Sequence, residues 1–200
     1  MMRPQYIVLS ALLCLVAGAA LAQTPVRVRG AVEALDGNVL TVKSRDGGDV
    51  AIKLADNYAV ASVVPIELAA IKPGSFIGTA AMTQSDGNLV ALEVLVFPEA
   101  MRGTGEGHYP WDLQPESTMT NATVATLADT PKGRELSLTF KGGTNMVTVP
   151  KGAPIVTFEP GDKSMLKPGA KIFAVTQKQP DGSLTAARVN VGKNGLTPPM

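Results

Sequence analysis

Residues 71–74 read Ile71-Lys72-Pro73-Gly74, and residues 166–169 read Leu166-Lys167-Pro168-Gly169, 95 positions further on. The same offset carries Asp86-Gly87 onto Asp181-Gly182 and Ala91-Leu92-Glu93-Val94 onto Ala186-Ala187-Arg188-Val189. Three separate features at one spacing mark an internal duplication. The beginnings of the copies also correspond, with small gaps: Gly30-Ala31-Val32-Glu33-Ala34-Leu35 resembles Asn121-Ala122-Thr123-Val124-Ala125-Thr126-Leu127. The chain therefore reads as two copies of one unit, at about 26–97 and 118–192.

Each copy is patterned for strands. Val26, Val28, Gly30 and Val32 alternate with Arg27, Arg29, Ala31 and Glu33, the period of a half-buried strand. Asp36-Gly37-Asn38 and Asp46-Gly47-Gly48 are turn signals around a second strand at 39–43, and Val50, Ile52 and Leu54 mark a third. Residues 65–71 predict a short helix, stopped by Lys72-Pro73-Gly74. Residues 76–82 and 89–97 then pair around Ser85-Asp86-Gly87. In the second copy Leu136, Leu138 and Phe140 share an inward face, and 146–149, 172–176 and 184–191 supply the remaining strands. Five or six short strands with one helical turn before the fourth predict an all-β fold of two tandem small OB-like β-barrels. Units of about 70 residues are only marginally stable alone, so the two copies are expected to dock. The predicted organisation is a signal peptide at 1–22, a first barrel domain at 23–97, a connector at 98–118, a second barrel domain at 119–192 and a C-terminal tail at 193–200.

Composition narrows the function. Twenty glycines and 15 prolines in 200 residues are too many for a helical bundle. Aromatics are only 4%, so any core is built from Val, Leu, Ile and Ala. Lys and Arg number 18 against 17 Asp and Glu, which leaves no imbalance to recruit a polyanion or a membrane surface. Scarce aromatics and a neutral chain exclude nucleic acid as the expected partner, despite the use of OB barrels for that purpose.

The first 22 residues read as an address. Arg3 precedes a mostly apolar run over 6–21, and Ala20-Leu21-Ala22 places small residues where a signal peptidase reads them. Cleavage near Ala22, before Gln23, is expected, with the product periplasmic or secreted. The apolar run falls short of the roughly 20 residues that a bilayer span needs, and no later segment reaches that length. Leu12 and Leu13 before Cys14 do not fit a lipoprotein signal. Cys14 leaves with the signal, so disulfides, thiolate catalysis and cysteine-based zinc sites are not expected in the mature chain.

The connector differs from everything around it. It holds the only histidine, His108, and the only tryptophan, Trp111, with Tyr109 between them. Glu99, Glu106, Asp112 and Glu116 outnumber Arg102 there, the first copy carries 8 acidic against 6 basic residues, and residues 119–200 carry 5 against 10. That asymmetry gives the halves an electrostatic component where they meet, though exposed pairs are individually weak. Glu99, Glu106, His108 and Asp112 can supply oxygen and nitrogen ligands to a divalent metal. The plainer expectation is that Tyr109 and Trp111 pack between the barrels as a clasp, with Arg102, Tyr109 and Trp111 as interdomain or partner contacts. Gly103, Gly105 and Gly107 lack the third glycine and the following helix of a dinucleotide fingerprint. Ser117 and Thr118 have no GxSxG context, and the six methionines of the mature chain are too dispersed for a soft copper site.

Val28-x-Gly30-x-Val32, Asp36-Gly37-Asn38, Leu40-Thr41-Val42, Leu68-x-x-Ile71-Lys72-Pro73-Gly74 and Asp86-Gly87-x-Leu89-x-Ala91 resemble a widespread bacterial exported domain family of unknown function. That resemblance implies an OB-like β-barrel and an exported location. It covers the first copy well and the second more loosely. The connector from Phe97 to His108 resembles a subgroup of exported bacterial proteins whose members are sometimes automatically labelled metal ABC transporter permeases. This chain departs from any permease, because its mature part has no membrane span. The resemblance brings no catalytic residues with it. The expected function is a periplasmic, non-catalytic binding or assembly protein that needs no cofactor, for an unknown protein or small ligand. The alternatives are a metal-binding accessory of metal transport that uses the connector, and an enzyme with an unrecognised carboxylate site.

Overall fold

The computed structural model describes residues 25–200, and the signal peptide read at 1–22 lies outside them. Thirteen strands are present among these residues. The first copy supplies β1 (Pro25–Asp36), β2 (Val39–Ser44), β3 (Asp49–Pro65), β4 (Phe76–Thr83), β5 (Leu89–Ala91) and β6 (Val94–Val96). The connector contributes β7 (Gly107–Pro110). The second copy supplies β8 (Thr118–Thr130), β9 (Gly133–Phe140), β10 (Gly143–Pro150), β11 (Ile155–Pro160), β12 (Lys171–Lys178) and β13 (Leu184–Gly192). The predicted helix at 65–71 is a single 3-10 turn, Leu68–Ala70.

The strands close two five-stranded barrels, and the fold class is all-β as the alternation implies. The first barrel is the ring β1-β2-β3-β13-β12, in which only the β3–β13 contact is parallel. The second is the ring β8-β9-β10-β5-β4, in which only β10–β5 is parallel. The topology is the same in both, but neither barrel is made by one copy. Each takes its first three strands from one copy and its last two from the other. The ranges 23–97 and 119–192 therefore delimit the repeat in the sequence and not the folded units.

The physical reason lies in β3. Between Asp49 and Pro65 there is no glycine or proline to turn the chain, and Val60, Val63 and Val64 favour extended backbone. The strand parts from β2 after Lys53 but stays paired with β13 as far as Val63, and its 11 residues beyond Leu54, roughly 35 Å of extended chain, carry it along the seam toward the second barrel. The strand β11 makes the return crossing. The two crossing segments pair antiparallel, with Val63 opposite Phe158. These are the same position in the two copies, 95 residues apart, so the copies are related by an approximate two-fold through that pair. The arrangement is a domain exchange contained within one chain.

Equivalent details recur in each half. Ile71 is buried in the core of the second barrel and Leu166 in that of the first. Gly74 and Gly169 both have positive φ, and their N–H groups donate to the carbonyls of Val124 and Val32 respectively. Both barrel cores are aliphatic: Val28, Val32, Leu40, Val42, Ile52 and Ile172 in the first, Ile77, Val94, Leu136, Leu138, Val147 and Val149 in the second. Gly30 is required where β1 crosses β2, because a Cβ there would lie 2.1 Å from the Lys43 carbonyl oxygen. The aromatics gather elsewhere. Phe173, Val63, Leu95, Val156 and Met200 form a third cluster at the seam, with Phe97, Trp111 and Phe158 packed against it.

Candidate functional site

The seam between the barrels encloses an open cavity of about 810 Å³. That is within the size range of small-molecule sites. Its apolar wall is built by both copies: Phe97 follows β6, Phe158 lies on β11, Phe173 on β12 and Met119 on β8. The phenylalanines interlock, with Phe97 5.3 Å from Phe76 and 6.3 Å from Phe158 between ring centroids.

The connector crosses this seam. On the second barrel, the Arg102 guanidinium donates to the Gly74 carbonyl at 2.8 Å and is paired with Glu99. The Tyr109 hydroxyl accepts from Asn121 Nδ2 at 3.2 Å, and burial raises the Tyr109 phenol above its ordinary pKa against the opposing charge of Arg27. On the first barrel, the Arg27 guanidinium lies 3.8 Å from the centroid of Trp111, and Phe173 is 6.5 Å from it. Asp112 binds Arg29 at 2.7 Å and Arg27 at 3.5 Å. Burial pushes the Asp112 carboxyl up, but the hydrogen bond and charge of Arg29, with Arg27 behind it, outweigh this and hold it below the ordinary carboxylate range. Arg102 and Tyr109 thus fix the strap on one barrel, while Trp111 and Asp112 engage the other.

Among the described residues four buried side-chain polar atoms have no hydrogen-bond partner, and three of them belong to residues lining this cavity: Glu93 Oε2, Trp111 Nε1 and Asn190 Oδ1. Each such atom costs about 1–3 kcal/mol when left unsatisfied, so their convergence on one cavity is notable chemistry. Glu93 sits at the break between β5 and β6, and its Oε1 accepts from the Ala80 N–H at 2.9 Å. Desolvation pushes its carboxyl up to about 7, against the weaker opposing effects of the Ala80 N–H and of Arg29. Asn190 Nδ2 is spent on the Phe173 carbonyl, which leaves its oxygen free. Arg188, on β13, stands exposed at the mouth and donates to the sulfur of Met101 at 3.3 Å. A second cleft of about 1020 Å³, along Lys53, Asp56 and Gln177, has none of these unpartnered buried atoms in its lining.

The four residues read as metal ligands are placed apart, each with its own partner. Glu99 pairs with Arg102, Glu106 accepts from the Lys141 N–H, and Asp112 binds Arg27 and Arg29. His108 Nδ1 shares a hydrogen bond with Thr120 Oγ1 at 2.8 Å, and its ring stacks on Phe140. Among the described residues no group of three or more His, Cys, Asp and Glu side chains is arranged to hold a metal ion.

Sequence reasoning missed Glu93, Arg188 and Asn190. A signal was available: Glu93 interrupts an otherwise apolar run at 89–97, and the 95-residue offset matches it with Arg188. Compared with known proteins, the chain has no matching family model, no matching curated protein and no matching solved structure.

Proposed function

We propose that this is an exported, non-catalytic binding protein whose site is the cavity at the seam of the two exchanged barrels. The observation that carries this reading is the convergence of Glu93, Trp111 and Asn190, each with an unpartnered buried polar atom, on one aromatic-walled space. Apolar walls bind by excluding water, and a few fixed polar groups orient what enters. The exported location rests on the signal-peptide pattern at 1–22, and mass spectrometry of the secreted or periplasmic product should find Gln23 at its N-terminus.

The single tryptophan lies in the cavity wall, so it reports occupancy directly. N-phenyl-1-naphthylamine, a neutral apolar fluorophore, is expected to quench Trp111 emission with saturable one-to-one stoichiometry. Ala100→Phe, which narrows the mouth, should weaken it. Linear, non-saturable quenching unaffected by that substitution would reject the cavity as a binding site.

One observation favours a second reading, an enzyme with a carboxylate site. Glu93 is fully buried and titrates near neutrality, as general acid–base catalysis requires. It ranks lower because no nucleophile among the described residues is hydrogen-bonded to Glu93 Oε2.

A further inference from the structure

The rim of the seam cavity is unbalanced in charge. Arg27 and Arg29 share one carboxylate, Asp112. Arg188 forms no ion pair among the described residues, and the contact of its Nη1 is the thioether of Met101. Arg29 lies behind the lining and also donates to the Met200 carbonyl, so the guanidinium groups that line the cavity are Arg27, which is paired, and Arg188, which is not. The other acid of the lining, Glu93, is buried, and desolvation keeps a large share of it protonated at neutral pH. Behind this positive rim the wall is apolar: Phe97, Phe158, Phe173, Met101 and Met119 contribute rings and thioethers.

We infer that the cavity takes an amphiphilic anion, an apolar chain or ring system ending in a carboxylate, with its head at Arg188 and its body among the phenylalanines. This rests on the cavity being a binding site, and it names the class of molecule bound. A guanidinium offers a carboxylate two parallel N–H donors. A cationic head would meet the like charges of Arg188 and Arg27 there. An uncharged head would leave the Arg188 charge with no charged partner.

The test compares three amphiphiles of one chain length, dodecanoate and dodecylammonium below their critical micelle concentrations and dodecanol below its solubility limit. Trp111 emission is followed at pH 8 in the full mature chain. Dodecanoate is expected to bind saturably and about tenfold or more tighter than either rival, the effect of one charge-assisted contact. Arg188→Gln should remove most of that preference and leave dodecanol binding unchanged. Arg188 is exposed, so this variant is expected to fold, and an unchanged unfolding midpoint checks that it does. Equal or tighter binding of dodecylammonium or dodecanol overturns the anionic assignment while leaving the cavity as a site. Retention of the preference in Arg188→Gln overturns the role given to Arg188. Absence of saturable binding by all three overturns both the assignment and the cavity.

Discussion

The barrel interiors and the seam divide the 95-residue repeat between them. Positions that face a barrel core match in the two copies: Ile77 and Ile172, Ala91 and Ala186, Val94 and Val189. Positions that line the seam cavity do not: Gly78 stands against Phe173, Glu93 against Arg188 and Leu95 against Asn190. Duplication specifies the scaffold, and divergence specifies the cavity lining. Two identical halves related by a two-fold would give a symmetric cavity with matching charges. Here one half has buried an acid and the other has placed a base at the rim.

The largest effects are expected from the positions that match. Ile77→Ala and Ile172→Ala each remove a fully packed side chain and should cost about 2–5 kcal/mol. Because every barrel contains strands from both copies, both variants should unfold in one cooperative transition in denaturant. Two separate transitions would mean that the barrels are independent and the comparison between them is only one of sequence.

Glu93→Gln sharpens the contrast within the divergent set. The folded-state pKa of Glu93, about 7, lies above its ordinary value of 4.5, so the folded chain holds that proton more tightly than the unfolded chain. Stability from this group is fully present below about pH 4.5 and is lost as pH rises through 7. The full loss is about 3 kcal/mol for a shift of this size. Glu93→Gln should flatten this part of the pH profile, seen by urea unfolding at pH 5 and pH 8. Arg188→Gln should leave the profile as it is. A parent protein with no stability change between those pH values would show that Glu93 is not desolvated as described.

Smaller effects separate the remaining pairs. Gly78→Ala would place a Cβ 2.5 Å from Asn121 Oδ1 and 3.1 Å from Phe97, and should lose about 1–3 kcal/mol by overpacking. Asp112→Asn removes a carboxylate that is nearly half exposed, and should cost under about 1 kcal/mol. Thermal melts at low and high salt check the latter, since the difference should shrink as salt screens the pair. A large loss that shrinks with salt would mean that the strap is held by its charge pairs and not by the packing of Trp111.

Much of the scaffold was legible. The alternation of Val28 and Val32, the turns at Gly37 and Gly87, and the Lys-Pro-Gly stops pointed to most of the barrel strands, but the single strand expected at 89–97 is two, broken at Leu92-Glu93, and β7 and β11 were not foreseen. The exchange was not legible, because both copies present the same partners. Ile77 and Ile172 are interchangeable at the level of residue type, so the pattern of β1 does not say which fourth strand it will meet. The clue lay in what is missing, a turn between Leu54 and Pro65, and an unbroken strand of 17 residues is longer than a small barrel uses. The metal-site alternative for the connector, beside the aromatic clasp, rested on charges that are close in sequence. In space Glu99 pairs within the connector while Glu106, His108 and Asp112 find partners elsewhere, and the acid that lines the cavity, Glu93, sits at a break between two strands.

Interstrand nuclear Overhauser contacts from Gly30 test the exchange most directly. In the arrangement described, Gly30 lies opposite Ile172 of the other copy, so cross-strand contacts between their backbone protons are predicted and none to Ile77. Contacts from Gly30 to Ile77, with those to Ile172 absent, would mean that each copy closes its own barrel, and the seam cavity as built here would not exist.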